Sequence, residues 1–221
     1  IICSGLSNWQ IIQQDKGCGS FELHGNWYPF GNVLPAGNDN DNDNDNDNNA
    51  DEPYLLYSVY VRVVYEDSGI VAIPWTKAKM KHPDAWQVRI EGIPAGGLYR
   101  IETCLDNNIK RQMEWANRGD MIHHVGVGDL YVIAGQSNSA GYGKDPVYDP
   151  AVLGVHILRN SGKWDMASNP LNESTGTLHT NNMEDANPGV SPYLSFARSI
   201  LRSTGTPVGL IQTSKIGRAH V

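Results

Sequence analysis

Asp129–Gly143 reads DLYVIAGQSNSAGYG, and the reading of this stretch decides how the remainder of the chain is understood. An apolar run, Leu130–Ala134, passes directly into Gly135-Gln136-Ser137-Asn138, and small residues and glycines follow. That order predicts a strand entering a tight turn, with Ser137 held at the turn. α/β enzymes keep their chemistry at the C-terminal ends of parallel strands, so Ser137 is a candidate nucleophile. Ester hydrolysis by serine needs an exposed hydroxyl, a base for its proton and donors for the developing oxyanion. Gly135, Gly141 and Gly143 would let backbone approach a substrate closely. If a helix begins after the turn, the Ser137 N–H is placed to favour an oxyanion. A plain strand-to-loop turn has the same composition, so the residues alone leave both readings open. The motif is not the G-x-S-x-G elbow, because Ser139 stands where that pattern needs glycine.

Working outward downstream, Val155–Leu158 and Val208–Gln212 are short continuous apolar runs, as expected of strands buried on both faces. Between them, Ser191–Leu201 places apolar residues at 194, 196, 197, 200 and 201, and Pro192 suits a first helical turn. Strand, strand, helix, strand predicts a parallel sheet with crossovers.

Upstream the pattern is β throughout. Trp9–Gln14 and Ser20–Leu23 are short strand candidates, with turn chemistry at Asp15-Lys16-Gly17. Leu56–Tyr65 is β-branched and aromatic, a turn follows at Glu66–Gly69, and Ile70–Trp75 is a second strand cut by Pro74. Trp86–Ile90 and Leu98–Cys104 alternate strictly, and Ile93–Gly97 (IPAGG) is expected to join them as a hairpin. At least five strands at roughly ten-residue spacing predict a small β-sandwich of structural role. Trp27 and Tyr28 could stack on a sugar, or lie at the edge of the core. Asn117–Gly128 is expected to be a Gly-rich connector. Its His123-His124 pair, pointing to opposite faces of an extended chain, is not expected to share a metal ion.

Asn38–Asn49 is a near-perfect Asn/Asp repeat, and disorder is expected for a segment with nothing to bury. From Asp41, oxygen-bearing residues fall at positions one, three, five, seven and nine of a calcium-type loop, with Glu52 at position twelve. The flanks are Pro35 and Pro53 rather than amphipathic helices, so an expanded surface loop is the stronger reading and no metal site is assigned. The same stretch carries the acidity. Six aspartates and Glu52 lie between Asn38 and Glu52 without a Lys or Arg, so the rest of the chain is neutral against a net charge of -7. No basic stripe points to nucleic acid. No apolar run reaches the roughly 18–20 residues needed to cross a bilayer, so no membrane partner is expected. Three cysteines, Cys3, Cys18 and Cys104, are too scattered for a disulfide framework. Cys18 and Cys104 could pair if the β module folds back on itself; buried or surface thiols are the plainer expectation.

DLYVIAGQSNSAG resembles the first motif block of the sialate O-acetylesterase and acetylxylan esterase-like carbohydrate esterases of the SGNH-hydrolase superfamily. Further likeness lies in Val125–Asp129 (VGVGD), in Gly154–Asn160 with Gly162-Lys163-Trp164, in Gly189–Arg198 and in Pro207–Ser214. The resemblance implies a flavodoxin-like α/β/α domain, of which this chain holds the N-terminal part, preceded by the β-sandwich. It places an accessory domain at residues 1–119 and the esterase domain at 120–215. It also implies that Ser137 attacks the acetyl ester of a carbohydrate, with its own N–H as one oxyanion donor. Gly135, Gln136 and Asn138 would support the turn, and no cofactor is needed. Ser139 replaces a commoner methionine. A secreted or lysosomal site would follow from the resemblance, while the oligomeric state is left open.

The family's remaining oxyanion donors and its Asp-x-x-His base have no counterpart here. The chain is therefore expected to be an incomplete, inactive fragment; separately, its start at Ile1 rather than Met fits a fragment whose targeting segment is absent. Ile216–Val221 (IGRAHV) is what one frame of a common sequencing adapter encodes, so neither His220 nor Gly217 is assigned a role. His156 and His179 are expected to be strand and loop residues. The alternatives are a non-catalytic carbohydrate-binding or scaffold sandwich, for which Trp75 and Trp86 would be the aromatic platform, and another SGNH hydrolase acting on lipid or thioester.

Overall fold

The computed structural model describes residues 1–28, 57–81, 84–106, 117–143, 149–172 and 189–214. Over these residues the chain is a mixed α/β structure made mostly of sheet. The upstream strands are β1 (Ile2–Ser4), β2 (Ile11–Gln13), β3 (Cys18–Asn26), β4 (Ser58–Tyr65), β5 (Val71–Lys77), β6 (Lys79–Lys81), β7 (Ala85–Pro94) and β8 (Gly96–Asp106). The long β9 (Asn117–Ile133) follows, then the one-turn helix α1 (Ser137–Ala140), β10 (Val155–Leu158), β11 (Trp164–Met166), α2 (Tyr193–Thr204) and β12 (Val208–Gln212). The Asn/Asp repeat, His179 and Lys215–Val221 lie outside the described residues.

Two sheets form. One has the order β1-β3-β7-β6; the other runs β11-β10-β12-β9-β8-β4-β5, with β2 added beside β9. The two-residue side-chain period of β3 and β7 turns Phe21, Leu23, Trp86, Val88 and Ile90 to one face. There they share a core with Val61, Val63, Tyr99, Ile101, Ile122 and Val125 from the second sheet.

Three sequence expectations give way. The strands β7 and β8 are not a hairpin: β7 pairs with β3 and β6, whereas β8 pairs with β4 and β9. Gly96 and Gly97, at φ +127° and +103°, carry the chain from one sheet to the other, so the alternating faces of the two strands belong to opposite sides of one core. Pro74 does not end its strand, because β5 is the edge of its sheet and an edge strand can leave one residue without a donor. Asn117–Gly128 is no connector but the first part of β9.

The 17-residue β9 links the two halves of the fold. Up to Val127 it runs antiparallel to β8; from Asp129 to Ile133 it runs parallel to β12. The change of partner requires Gly128, where a Cβ would overlap the Pro207 carbonyl. Beyond this point β9, β12 and β10 are parallel, as the apolar runs predict. The helix α2 covers one face, burying Leu194 and Ala197 against Val155, Ile157, Val208 and Leu210. Ile11 of β2, 1% exposed, approaches Gly209 on that sheet from the strand upstream. No described helix is long and apolar enough to cross a membrane.

Candidate active site

The parallel sheet delivers the serine turn. β9 stops at Ile133, whose carbonyl accepts the Thr213 N–H at 2.9 Å, the Thr213 hydroxyl at 3.0 Å and the Ser214 hydroxyl at 3.1 Å. These three donors lock the ends of β9 and β12 together. Ala134, Gly135 and Gln136 then emerge onto the surface. Gly135 sits at φ +140°, in the region that favours glycine, and a Cβ there would lie 2.5 Å from Ser139 Oγ. The chain re-enters as α1, which starts at Ser137 and closes at Gly141 in the left-handed conformation, φ +91°.

The four sequence-predicted site residues thus follow one another in a single turn, in which Gly135, Gln136 and Asn138 are exposed. Gly135 supplies its conformation, Gln136 is the residue before α1 without a side-chain cap bond, and Asn138 is exposed within α1. Ser137 is described by its backbone only. Behind the turn, residues not singled out by sequence make the contacts. Ser139 Oγ lies 3.0 Å from the Tyr193 hydroxyl, and Gln212 Nε2 donates to the Ser139 carbonyl at 3.1 Å. The signal for Gln212 was available: a polar amide closing an otherwise apolar strand.

The described histidines all have partners elsewhere. His24 faces Glu22 at 3.4 Å. His156 is fully buried in β10, and its Nδ1–H donates to the Trp9 carbonyl at 2.7 Å, leaving Nε2 without a partner. Burial drives its pKa down to about 4, against the opposing pull of the Trp9 carbonyl. His123 and His124 do not point to opposite faces as alternation would require. His124 adopts φ +59°, which breaks the alternation, and both Nδ1 atoms converge on Glu66, at 3.2 and 2.8 Å. The His124 ring also packs on Trp9, centroid to centroid 4.0 Å. This cluster ties β9 to the β4–β5 turn, and among the described residues no group of three or more His, Cys, Asp and Glu side chains could hold a metal.

Of the two candidate platform residues, Trp86 is core and Trp75 is half-buried. Trp86 is 2% exposed and donates its indole N–H to the Asn26 carbonyl, while Trp75 is covered by the Arg62 guanidinium at 4.5 Å. Trp27 belongs to the core, and Tyr28 is exposed. Cys3, Cys18 and Cys104 are free thiols. Burial pushes the Cys104 thiol up to about 12, so it behaves as an apolar core residue.

With this geometry in place, the comparisons locate the chain. Residues 127–220 match the model of the SASA family, described as carbohydrate esterase, sialic acid-specific acetylesterase. This stretch of the chain is sialate O-acetylesterase-like. Its match begins at Val127, where β9 changes partner from β8 to β12. Among solved structures, a carbohydrate acetylesterase from Xanthomonas citri is 17% identical over 97% of this chain and 40% of that one, with a TM-score of 0.45. An Arabidopsis thaliana protein is 21% identical over 41% of each chain, with a TM-score of 0.34. The chain therefore spans less than half the length of either. No curated protein matches it.

Proposed function

We propose that this chain carries the nucleophile-bearing part of a serine carbohydrate esterase that removes O-acetyl groups from a sugar. The observation that carries the reading is a parallel strand, β9, ending in an exposed glycine turn that places Ser137 at the first position of α1, inside the segment that is sialate O-acetylesterase-like. In this reading the Ser137 hydroxyl attacks the acetyl carbonyl as a base takes its proton. The Ser137 N–H holds the developing oxyanion, the sugar leaves as an alcohol with that proton, and water then releases acetate from the acetyl-serine. Gly135, Gln136 and Asn138 shape the turn. The mechanism needs no cofactor.

At the finer level the parallel strands form the first part of an SGNH-type flavodoxin-like domain, and the upstream sheets form an accessory β-sandwich. The proposed division at residues 119 and 120 then falls within β9, so the units are joined by unbroken strand. In this reading the base comes from an Asp-x-x-His segment outside the described residues. The 221-residue chain by itself is expected to release no acetate from O-acetylated sialic acid. Acetate release by it that disappears in Ser137→Ala would refute the inactivity while upholding the nucleophile. In a longer protein containing this chain together with an Asp-x-x-His segment, Ser137→Ala is expected to abolish release. Acetyl esters should also be preferred over longer acyl esters, and the reverse preference would favour a lipid or thioester hydrolase.

A further inference from the structure

The helix α1 is a single turn, too short to sustain itself, and its leading residue Gln136 makes no cap bond. What holds it comes from outside. Gln212, the last residue of β12 and 6% exposed, donates through Nε2 to the carbonyl of Ser139 at 3.1 Å. That carbonyl can only accept, which fixes the amide's orientation and leaves Oε1 buried without a partner. A buried acceptor without a donor costs free energy, and an apolar side chain of the same shape would avoid that cost. The amide is therefore explained by its donor, not by packing. From the other side, the Tyr193 hydroxyl at the start of α2 meets Ser139 Oγ at 3.0 Å.

We infer that Gln212, with the Ser139–Tyr193 hydroxyl pair, is a positioning residue for the serine turn. It pins the Ser139 carbonyl, and hence the turn of backbone that begins at Ser137, to the end of the neighbouring parallel strand. The inference rests on the reading of Ser137 as nucleophile for its significance, but its test does not require turnover. The reporters are the amides of Ala140, bonded to the Gln136 carbonyl at 2.9 Å, and Gly141, bonded to the Asn138 carbonyl at 3.3 Å.

Hydrogen exchange of the whole chain, read by NMR, tests it. In Gln212→Met, which keeps the bulk and removes both donor and orphan acceptor, the Ala140 and Gly141 amides are expected to exchange about tenfold faster than wild type, the size of one lost hydrogen bond. The Leu210 amide, inside β12, should stay within about twofold, which separates local loosening from global destabilisation. Gln212→Glu adds a readout that packing alone would not move. Its carboxylate cannot donate at neutral pH, but once protonated it regains an O–H donor, and burial raises the pH at which this happens. Protection of Ala140 and Gly141, relative to wild type at the same pH, should be lost at about pH 7.5 and return at about pH 5. Unchanged protection in Gln212→Met, or loss in Gln212→Glu that acid does not reverse, overturns the proposal. If exchange responds as expected but Ser137→Ala leaves acetate release intact in a turning-over protein, the nucleophile reading fails and the positioning of the turn stands.

Discussion

At the scale of single residues, His156 shows how burial decides chemistry. It sits on β10, between β11 and β12, sealed from water, with one ring nitrogen donating and the other unpaired. Its folded pKa of about 4 lies below the ordinary 6.5, so between those values the unfolded chain binds more protons than the folded one. Stability must then rise with pH across that window, by up to about 3 kcal/mol at roughly 1.4 kcal/mol per pH unit. Urea midpoints at pH 4.5 and 7.5 check this, and His156→Gln should flatten the difference. Glu102 runs the other way. Burial by itself would raise its pKa, but hydrogen bonds from Arg62 and Arg100, both 2.6 Å, outweigh burial and lower it. Its contribution is therefore present above the unfolded carboxylate pKa and lost as acid protonates it in the folded chain. Removing the carboxylate strands two arginines, so Glu102→Ala should cost about 3 kcal/mol at neutral pH by denaturant unfolding.

At the scale of elements, β9 makes the case that the two halves are built on one strand. Gly128 is the point at which that strand exchanges β8 for β12, and its backbone lies against the Pro207 carbonyl. Gly128→Ala has to part the two strands and is expected to destabilise by about 2 kcal/mol or more, measured by thermal or urea unfolding. This element was only half legible in the sequence. Leu130–Ala134 announced itself as an apolar run, as did Val155–Leu158 and Val208–Gln212, because strands covered on both faces need continuous apolar residues. Asn117–Gly128 did not, because its glycines serve close backbone approach, which looks like linker composition. The β7 and β8 strands were legible as strands but not as partners. Alternation reports which face is buried, and a short Pro/Gly joint fits a hairpin and a crossing between sheets equally well. Alternation fails at His123 and His124 for a similar reason: it holds only while the backbone stays extended, and φ +59° at His124 ends it.

At the scale of the whole molecule, the upstream sheets and the parallel strands are knit together rather than strung in sequence. Besides β9 itself, Ile11 lies against Gly126 and Gly209, His156 bonds the Trp9 carbonyl, and Gln14 Nε2 donates to Asp129 at 3.1 Å. Such connections predict one cooperative urea transition reported alike by far-ultraviolet dichroism and tryptophan fluorescence; two separated transitions would mean independent halves. The serine turn was readable because it is local, four consecutive residues after a strand. Its supports were not, since Gln212 and Tyr193 reach it only through the crossover and sheet. The most direct test of the account is acetate release from O-acetylated sialic acid by a protein containing this chain and an Asp-x-x-His segment, compared with its Ser137→Ala variant. Release should fall by at least about a thousandfold on substitution, with the fold unchanged. Undiminished release from a folded Ser137→Ala protein would contradict the assignment of Ser137 as nucleophile.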